Sequence, residues 1–232
     1  MRAPGLDLVK WLAMLTMVAD HLRFVWPQAD GLFVAGRLAF PLFCLAIAVN
    51  VARLASGPLC TRSNVRYLGL MLVFTVLSEP VYRWLDSGSS TFSIMPTLVL
   101  GLLVAWGVHY QQGLARLLGL AALISGWLAS DRLMYGLPGV LLPAGWLLAR
   151  RHGGAGWLVP CLLAMAGNLT NGWLREHLLA PFTWLVLTAA LFAIPLGVGL
   201  LRCTRPEIPA VGRWGYAFYP GHLVLIKLMG GG

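Results

Sequence analysis

The chain has 232 residues, of which 59% are hydrophobic and only 11% charged, with a mean hydropathy of +0.77. Soluble domains carry about a quarter charged residues, so this composition excludes an ordinary soluble globule and points to a polytopic membrane protein. The net charge of +9 is scattered between apolar runs with no basic stripe, which argues against a nucleic-acid partner and suits loops that face anionic headgroups.

Gly, Pro and charged residues punctuate about nine apolar segments, near 8–26, 32–52, 66–85, 92–110, 113–130, 133–150, 155–172, 180–201 and 213–229. Each approaches the roughly 20 residues that a helix needs to cross a bilayer. Backbone polar groups must be satisfied inside lipid and no barrel-like alternation is present, so the expected class is all-α: a polytopic membrane helical bundle. The first segment resembles a signal peptide only superficially. Asp20 and His21 interrupt it and no small-residue cleavage site follows, so it reads as a retained helix. With no linker, low-complexity tract or convincing repeat, residues 1–232 read as one integral-membrane domain.

The basic residues orient the bundle. A cytoplasmic N-terminus puts Arg2, Arg53, Arg62, Arg66, Arg116, Arg150, Arg151, Arg202, Arg205 and Arg213 inside, ten against five for Arg23, Arg83, Arg132, Arg175 and Lys227. The four cysteines, Cys44, Cys60, Cys161 and Cys203, form no disulfide framework and read as reduced, structural thiols. Neither cysteine nor histidine has metal-ligand spacing, so no metal is expected.

Ionisable residues inside the spans carry the functional signal, because they are costly there. On the first segment Asp7, Lys10, Met14, Met17 and His21 follow a three–four spacing and share one helix stripe. Lys10 and His21 are separated by about 16 Å along the axis, half the hydrocarbon thickness. Asp20 lies beside His21, about 100° around the helix. Early in the second segment, Arg37 should reach a depth similar to His21, and Asp20 is the carboxylate that a buried arginine there would require. Glu79 is expected to pair with Arg83 four residues on. In the last segment, Tyr219 and His222 are about 60° apart on one face, around a Pro220–Gly221 bend. His21, Asp20, Arg37, Tyr219 and His222 are therefore expected in the middle or outer half of one small bundle. Spacing alone leaves open whether they form a proton path or an active site.

The blocks LDLVKWLAMLTMVADHLR, GRLAFPLFCLAIA, LSEP, YGLPGVLLP and RWGYAFYPGHLVLI, in this order, resemble those of the TraX-family pilin acetylases over nearly the whole chain. The interval from Lys10 to His21 also resembles the basic-x10-His motif of the wider acyltransferase-3 superfamily of membrane acyltransferases. The resemblance implies a multi-pass protein of the bacterial inner (cytoplasmic) membrane. It implies transfer of an acetyl group from cytoplasmic acetyl-CoA, a co-substrate, to the N-terminal amine of a pilin subunit at the far membrane face. For the residues, that implies His21 as general base, with Asp20 orienting its imidazole and Arg37, Tyr219 or His222 stabilising the oxyanion. Lys10, Arg62 and Arg66 would meet the phosphates of the donor. An O-acetyltransferase of a surface or lipid-linked sugar, or a non-catalytic transporter or pilin-insertion factor, are the competing readings. The oligomeric state is not legible.

Overall fold

The computed structural model of the protein describes residues 3–54, 56–110, 112–204 and 208–230; Arg2 and Arg205 lie outside the described residues. Among these, the chain is helical without a strand: α1 (Pro4–Leu22), α2 (Asp30–Gly36), α3 (Ala39–Ala52), α4 (Arg62–Leu85), α5 (Ile94–Tyr110), α6 (Gly113–Leu128), α7 (Gly136–His152), α8 (Leu158–Asn168), α9 (Gly172–Glu176), α10 (Pro181–Leu201) and α11 (Trp214–Gly230). Short 3-10 turns at Ser130–Arg132 and Gly154–Trp157 complete it. All nine expected segments are largely helical, and the second breaks at Arg37 and Leu38 into α2 and α3.

Local signals account for the helix ends. Pro4 and Pro181 sit in the first turns of α1 and α10, where a missing N–H costs nothing. The Thr61 side chain accepts a bond from the Asn64 amide at the start of α4, and the Asn171 side chain one from the Leu174 amide at α9. At the close of α7, Gly153 takes φ +63°, a conformation that glycine enters without strain.

Hydrogen bonds gather the helix ends into two opposite layers. At one end Lys10 Nζ donates to the Val211 carbonyl at 3.2 Å and the Trp11 indole to Pro209 at 2.8 Å, while Asp7 accepts from the Val211 amide. The same end joins α4 to α5 through Asn64 and Tyr110, and α7 to α5 through Arg151 and His109. At the other end Arg37 bonds Tyr135, the Ser93 amide bonds Glu79, and Thr97 bonds the Met134 carbonyl. By chain order, the first layer holds the described members of the ten-residue basic set, and the second Arg23, Arg83, Arg132, Arg175 and Lys227.

The perimeter is apolar where a soluble protein would be charged. Leu72, Val73, Val76 and Leu77 on α4, Leu117, Leu120 and Ile124 on α6, and Leu185 and Phe192 on α10 all face outward. Trp26, Trp84, Trp127, Trp173 and Trp184 are exposed at the second end, as in an interfacial aromatic belt. Among the described residues, three stretches are long and apolar enough to cross a membrane on these grounds alone: Asp30–Ala52, Arg62–Leu85 and Pro181–Leu201. The others fall short for physical reasons. Helices α5, α6, α7 and α11 have at most 17 residues, about 26 Å of rise against a core of about 30 Å, and α1 carries Asp7, Lys10 and Asp20.

The core lies between α1, α3, α5 and α7, with Leu42, Leu45, Leu102, Leu142 and Trp146 fully enclosed. Helices α1 and α10 approach at Gly5, where a Cβ would stand 2.6 Å from the Leu200 carbonyl oxygen. Gly5→Val is therefore expected to force these helices apart and cost about 1–3 kcal/mol, seen as a lower unfolding midpoint in detergent. An unchanged midpoint would contradict this close approach.

Candidate functional site

Helix α1 carries the site. Its side chains lean back toward the N-terminus, so the His21 ring lies over the turn before it and its Nδ1 meets the Met17 carbonyl at 2.8 Å. A carbonyl can only accept, so Nδ1 bears the proton. His222 on α11 follows the same rule, with Nδ1 donating to the Phe218 carbonyl at 2.9 Å. His222 Nε2 is then an acceptor, and it faces His21 Nδ1 at 3.3 Å. The His21 N–H is thus shared between Met17 and His222, and the network fixes both tautomers. Among the described residues nothing bonds His21 Nε2. Its lone pair is the one uncommitted basic position of the pair.

Asp20 does not hydrogen-bond the imidazole. Its carboxylate is taken by Arg37 in an ion pair, and the hydrogen bonds on the His21 ring come from the Met17 carbonyl and His222. Arg37 also donates from Nε to the Phe33 carbonyl at 3.1 Å and from Nη1 to the Tyr135 hydroxyl at 3.2 Å. Gly36 makes the pair geometrically feasible: a Cβ there would collide with Asp20, 2.6 Å from its Oδ1. The pair therefore joins α1, the α2–α3 break and the turn before α7.

Tyr135 was not legible as a site residue. It is the one described non-glycine residue with positive φ, at +62°, and its ring stacks on Phe40 with centroids 4.1 Å apart. Gly139 and Gly167 leave room for it, since a Cβ at either would press on Tyr135 at 2.7 or 3.3 Å. Backbone strain of this kind persists only where the surroundings hold it. The Tyr–Gly pair opening YGLPG was its sequence signal, outside any helical periodicity.

A cavity of about 510 Å³ opens beside the first helix layer and runs inward between α1, α3, α4, α5 and α11. Lys10, Arg53, Arg66 and Arg213 surround it at the basic end, and Met14, Met17 and Tyr219 line it further in. Lys10, Met14, Met17 and His21 thus form the expected stripe, the first three on the cavity wall and His21 one turn beyond. The Tyr219 ring meets His21 edge-on with centroids 6.4 Å apart, between the cavity and the imidazole. Its hydroxyl is buried near the Ile94 backbone without a well-formed hydrogen bond. Arg66 lies on this cavity, whereas Arg62, at the exposed start of α4, does not. Arg53 and Arg213 contribute instead, residues that sequence placed on the same side without assigning them a ligand.

Glu79 is absorbed locally, pairing with Arg83 at 3.0 Å and accepting from the Ser93 amide at 2.9 Å.

Removing one partner from a buried ion pair leaves the other charge uncompensated, so Arg37→Ala is expected to cost about 3–5 kcal/mol. Combining it with Asp20→Ala should recover part of that loss. Additive losses in a double-mutant cycle of detergent unfolding would show that the pair is not coupled.

Three comparisons with known proteins bear on this geometry. Residues 5–230 match the protein family described as TraX protein. The chain is 27% identical over 245 residues to Protein TraX of Escherichia coli, covering 96% of this chain and 86% of that protein. It is 30% identical over 112 residues to the probable fimbrial assembly protein FimC, serogroup H1, of Dichelobacter nodosus, covering 41% of this chain and 43% of that one. No solved structure matches the chain.

Proposed function

The chain belongs to the TraX family, and from that footing we propose that it is a membrane acetyltransferase moving an acetyl group from acetyl-CoA to the N-terminal amine of a pilin subunit. The observation carrying this reading is the free Nε2 of His21, held one turn beyond a cavity with a cationic mouth. The relative named as a fimbrial assembly protein supports a pilus subunit as acceptor.

On this reading the whole chain is one integral-membrane domain of the bacterial inner membrane, its nine segments crossing in alternation. The basic end faces the cytoplasm, where acetyl-CoA is made. Lys10, Arg53, Arg66 and Arg213 meet the phosphates through charge-assisted contacts, and Arg62 adds to the field from outside the cavity. The slender arm of the donor extends along Met14 and Met17 toward Tyr219. A volume of this size falls within the range of about 300–1,000 Å³ usual for small-molecule sites.

His21 Nε2 accepts a proton as the neutral amine attacks the thioester carbonyl. A C–N bond forms, the carbonyl oxygen gains negative charge, and collapse of the tetrahedral intermediate breaks the C–S bond. The departing thiolate recovers the proton from His21. Nδ1, tied to Met17 and His222, keeps the ring aimed while Nε2 gains and loses the proton. Tyr219 is the best-placed oxyanion donor. Arg37 is committed to Asp20, Tyr135 and Phe33, and the His222 N–H to Phe218. Arg37 thereby acts as a positioning residue, holding Asp20 and the adjacent turn of α1 in place.

Intact mass of pilin from cells with and without this chain tests the proposal: one acetyl group on the N-terminus is expected only when it is present. Unmodified pilin alongside altered glycan acetylation would overturn it in favour of a sugar acceptor. Unmodified pilin at altered abundance would favour an insertion factor. In the purified protein, His21→Ala is expected to abolish transfer without loss of folded protein, and near-normal transfer would remove His21 from the mechanism. Tyr219→Phe should lower kcat about 100-fold with little change in KM. Lys10→Ala should raise the KM for acetyl-CoA while sparing kcat, and an unchanged donor KM would leave Lys10 a structural anchor of the α10–α11 loop.

A further inference from the structure

A second cleft of about 230 Å³ lies at the opposite end of the bundle from the cationic cavity, lined in part by Arg23, Asp30, Phe33, Trp173 and Phe182. Its walls are an aromatic cluster. Phe33 stacks on Phe182 with centroids 6.0 Å apart, and Trp173 meets Phe182 edge-on at 5.8 Å. The Arg23 guanidinium lies over the Phe33 ring at 5.2 Å, yet its Nε is buried with no hydrogen-bond partner. A buried donor without an acceptor is uncommon and calls for one.

The cleft also adjoins the chemistry. Phe33 is the wall between it and the Asp20–Arg37 pair: Arg37 covers the same ring at 4.0 Å, and its Nε bonds the Phe33 carbonyl. Arg23 follows His21 by two residues on the same chain. One molecule could therefore occupy this cleft while another fills the cationic cavity, the first touching α1's C-terminal cap at Arg23 and the second α1 at Lys10, Met14 and Met17, with His21 between them in sequence.

We propose that this cleft seats the leading residues of the acceptor, an extended apolar peptide with a free N-terminal amine. This assignment rests on the acetyl-transfer reading. Phe33, Trp173 and Phe182 cover the first side chains of the peptide, and the terminal nitrogens of the Arg23 guanidinium on the cleft wall donate to one of its backbone carbonyls. Exposed Asp30 attracts the incoming ammonium, which gives one proton to bulk water at the cleft mouth and goes on as the neutral amine. The lining is dominated by apolar and aromatic groups, its polar side chains being Arg23, Asp30, the amide nitrogen of Asn171, whose oxygen caps α9, and the Trp173 indole, which suits an apolar peptide better than a glycan.

The test uses the full-length protein in detergent with a short apolar peptide, amine free, carrying benzoylphenylalanine at its second position. Irradiation should crosslink it within 23–33 or 171–182, and Asp30→Asn should weaken the yield. Trp173→Ala and Phe182→Ala should each raise the peptide KM about tenfold while leaving the acetyl-CoA KM unchanged, as expected for a centrally buried aromatic contact. Crosslinking elsewhere, no crosslinking, or an unaltered peptide KM would overturn the assignment. Acetylated peptide that crosslinks elsewhere would sink the cleft and keep the transferase. A peptide that crosslinks here without being acetylated would keep the cleft and sink the transferase.

Discussion

The structure around His21 depends on one buried ion pair. Arg37 is buried and Asp20 half-buried beside it, and the buried guanidinium in particular is poorly tolerated without its carboxylate. Their contact draws the end of α1 against the α2–α3 break. Arg37 then extends the tie through Phe33 and Tyr135, so the turn before α7 is held as well. With α1 anchored, the His21 ring has one place to rest, against the Met17 carbonyl and His222 of α11. The carboxylate beside the histidine thus ties down the backbone that carries the ring, and the hydrogen bonds to the ring come from a carbonyl and a second imidazole.

That division of labour gives each polar group a single task. The His21 N–H is spent on Met17 and His222, and Nε2 is left uncommitted among the described residues. Arg37 is saturated and therefore structural, whereas the Tyr219 hydroxyl, buried without a well-formed bond, has donor capacity to spare. Cations crowd the cavity mouth at the opposite end of the α1 stripe, so on the proposed reading donor recognition is separated from the reacting atoms by the length of that stripe.

Local geometry explains which features sequence revealed. A helical repeat is enough to align Lys10, Met14, Met17 and His21, and a buried arginine near a buried aspartate is enough to pair Arg37 with Asp20. The i,i+4 rule gave Glu79 with Arg83. Non-local packing explains the features that stayed hidden. Tyr135 reaches Arg37 across 98 positions from a left-handed turn that no periodicity marks. Arg53 and Arg213 approach the cavity because α3 ends and α11 begins beside α4, whereas Arg62 lies one turn too early to join them. The break at Arg37 was also invisible, since an apolar run reads the same whether its helix is continuous or interrupted. Length and apolarity alone assign three crossings, because the remaining helices are short or carry the charged residues that matter for the site.

Because the proposed mechanism has donor and acceptor reach His21 from opposite ends, sidedness is the most direct measurement. The purified protein, reconstituted in one orientation into sealed vesicles, would receive acetyl-CoA only on the basic side and an amine-terminated peptide only on the other. The account predicts acetyl-peptide on the peptide side, free CoA on the donor side, and loss of both in His21→Ala. Product that forms only when donor and peptide share a compartment would contradict it.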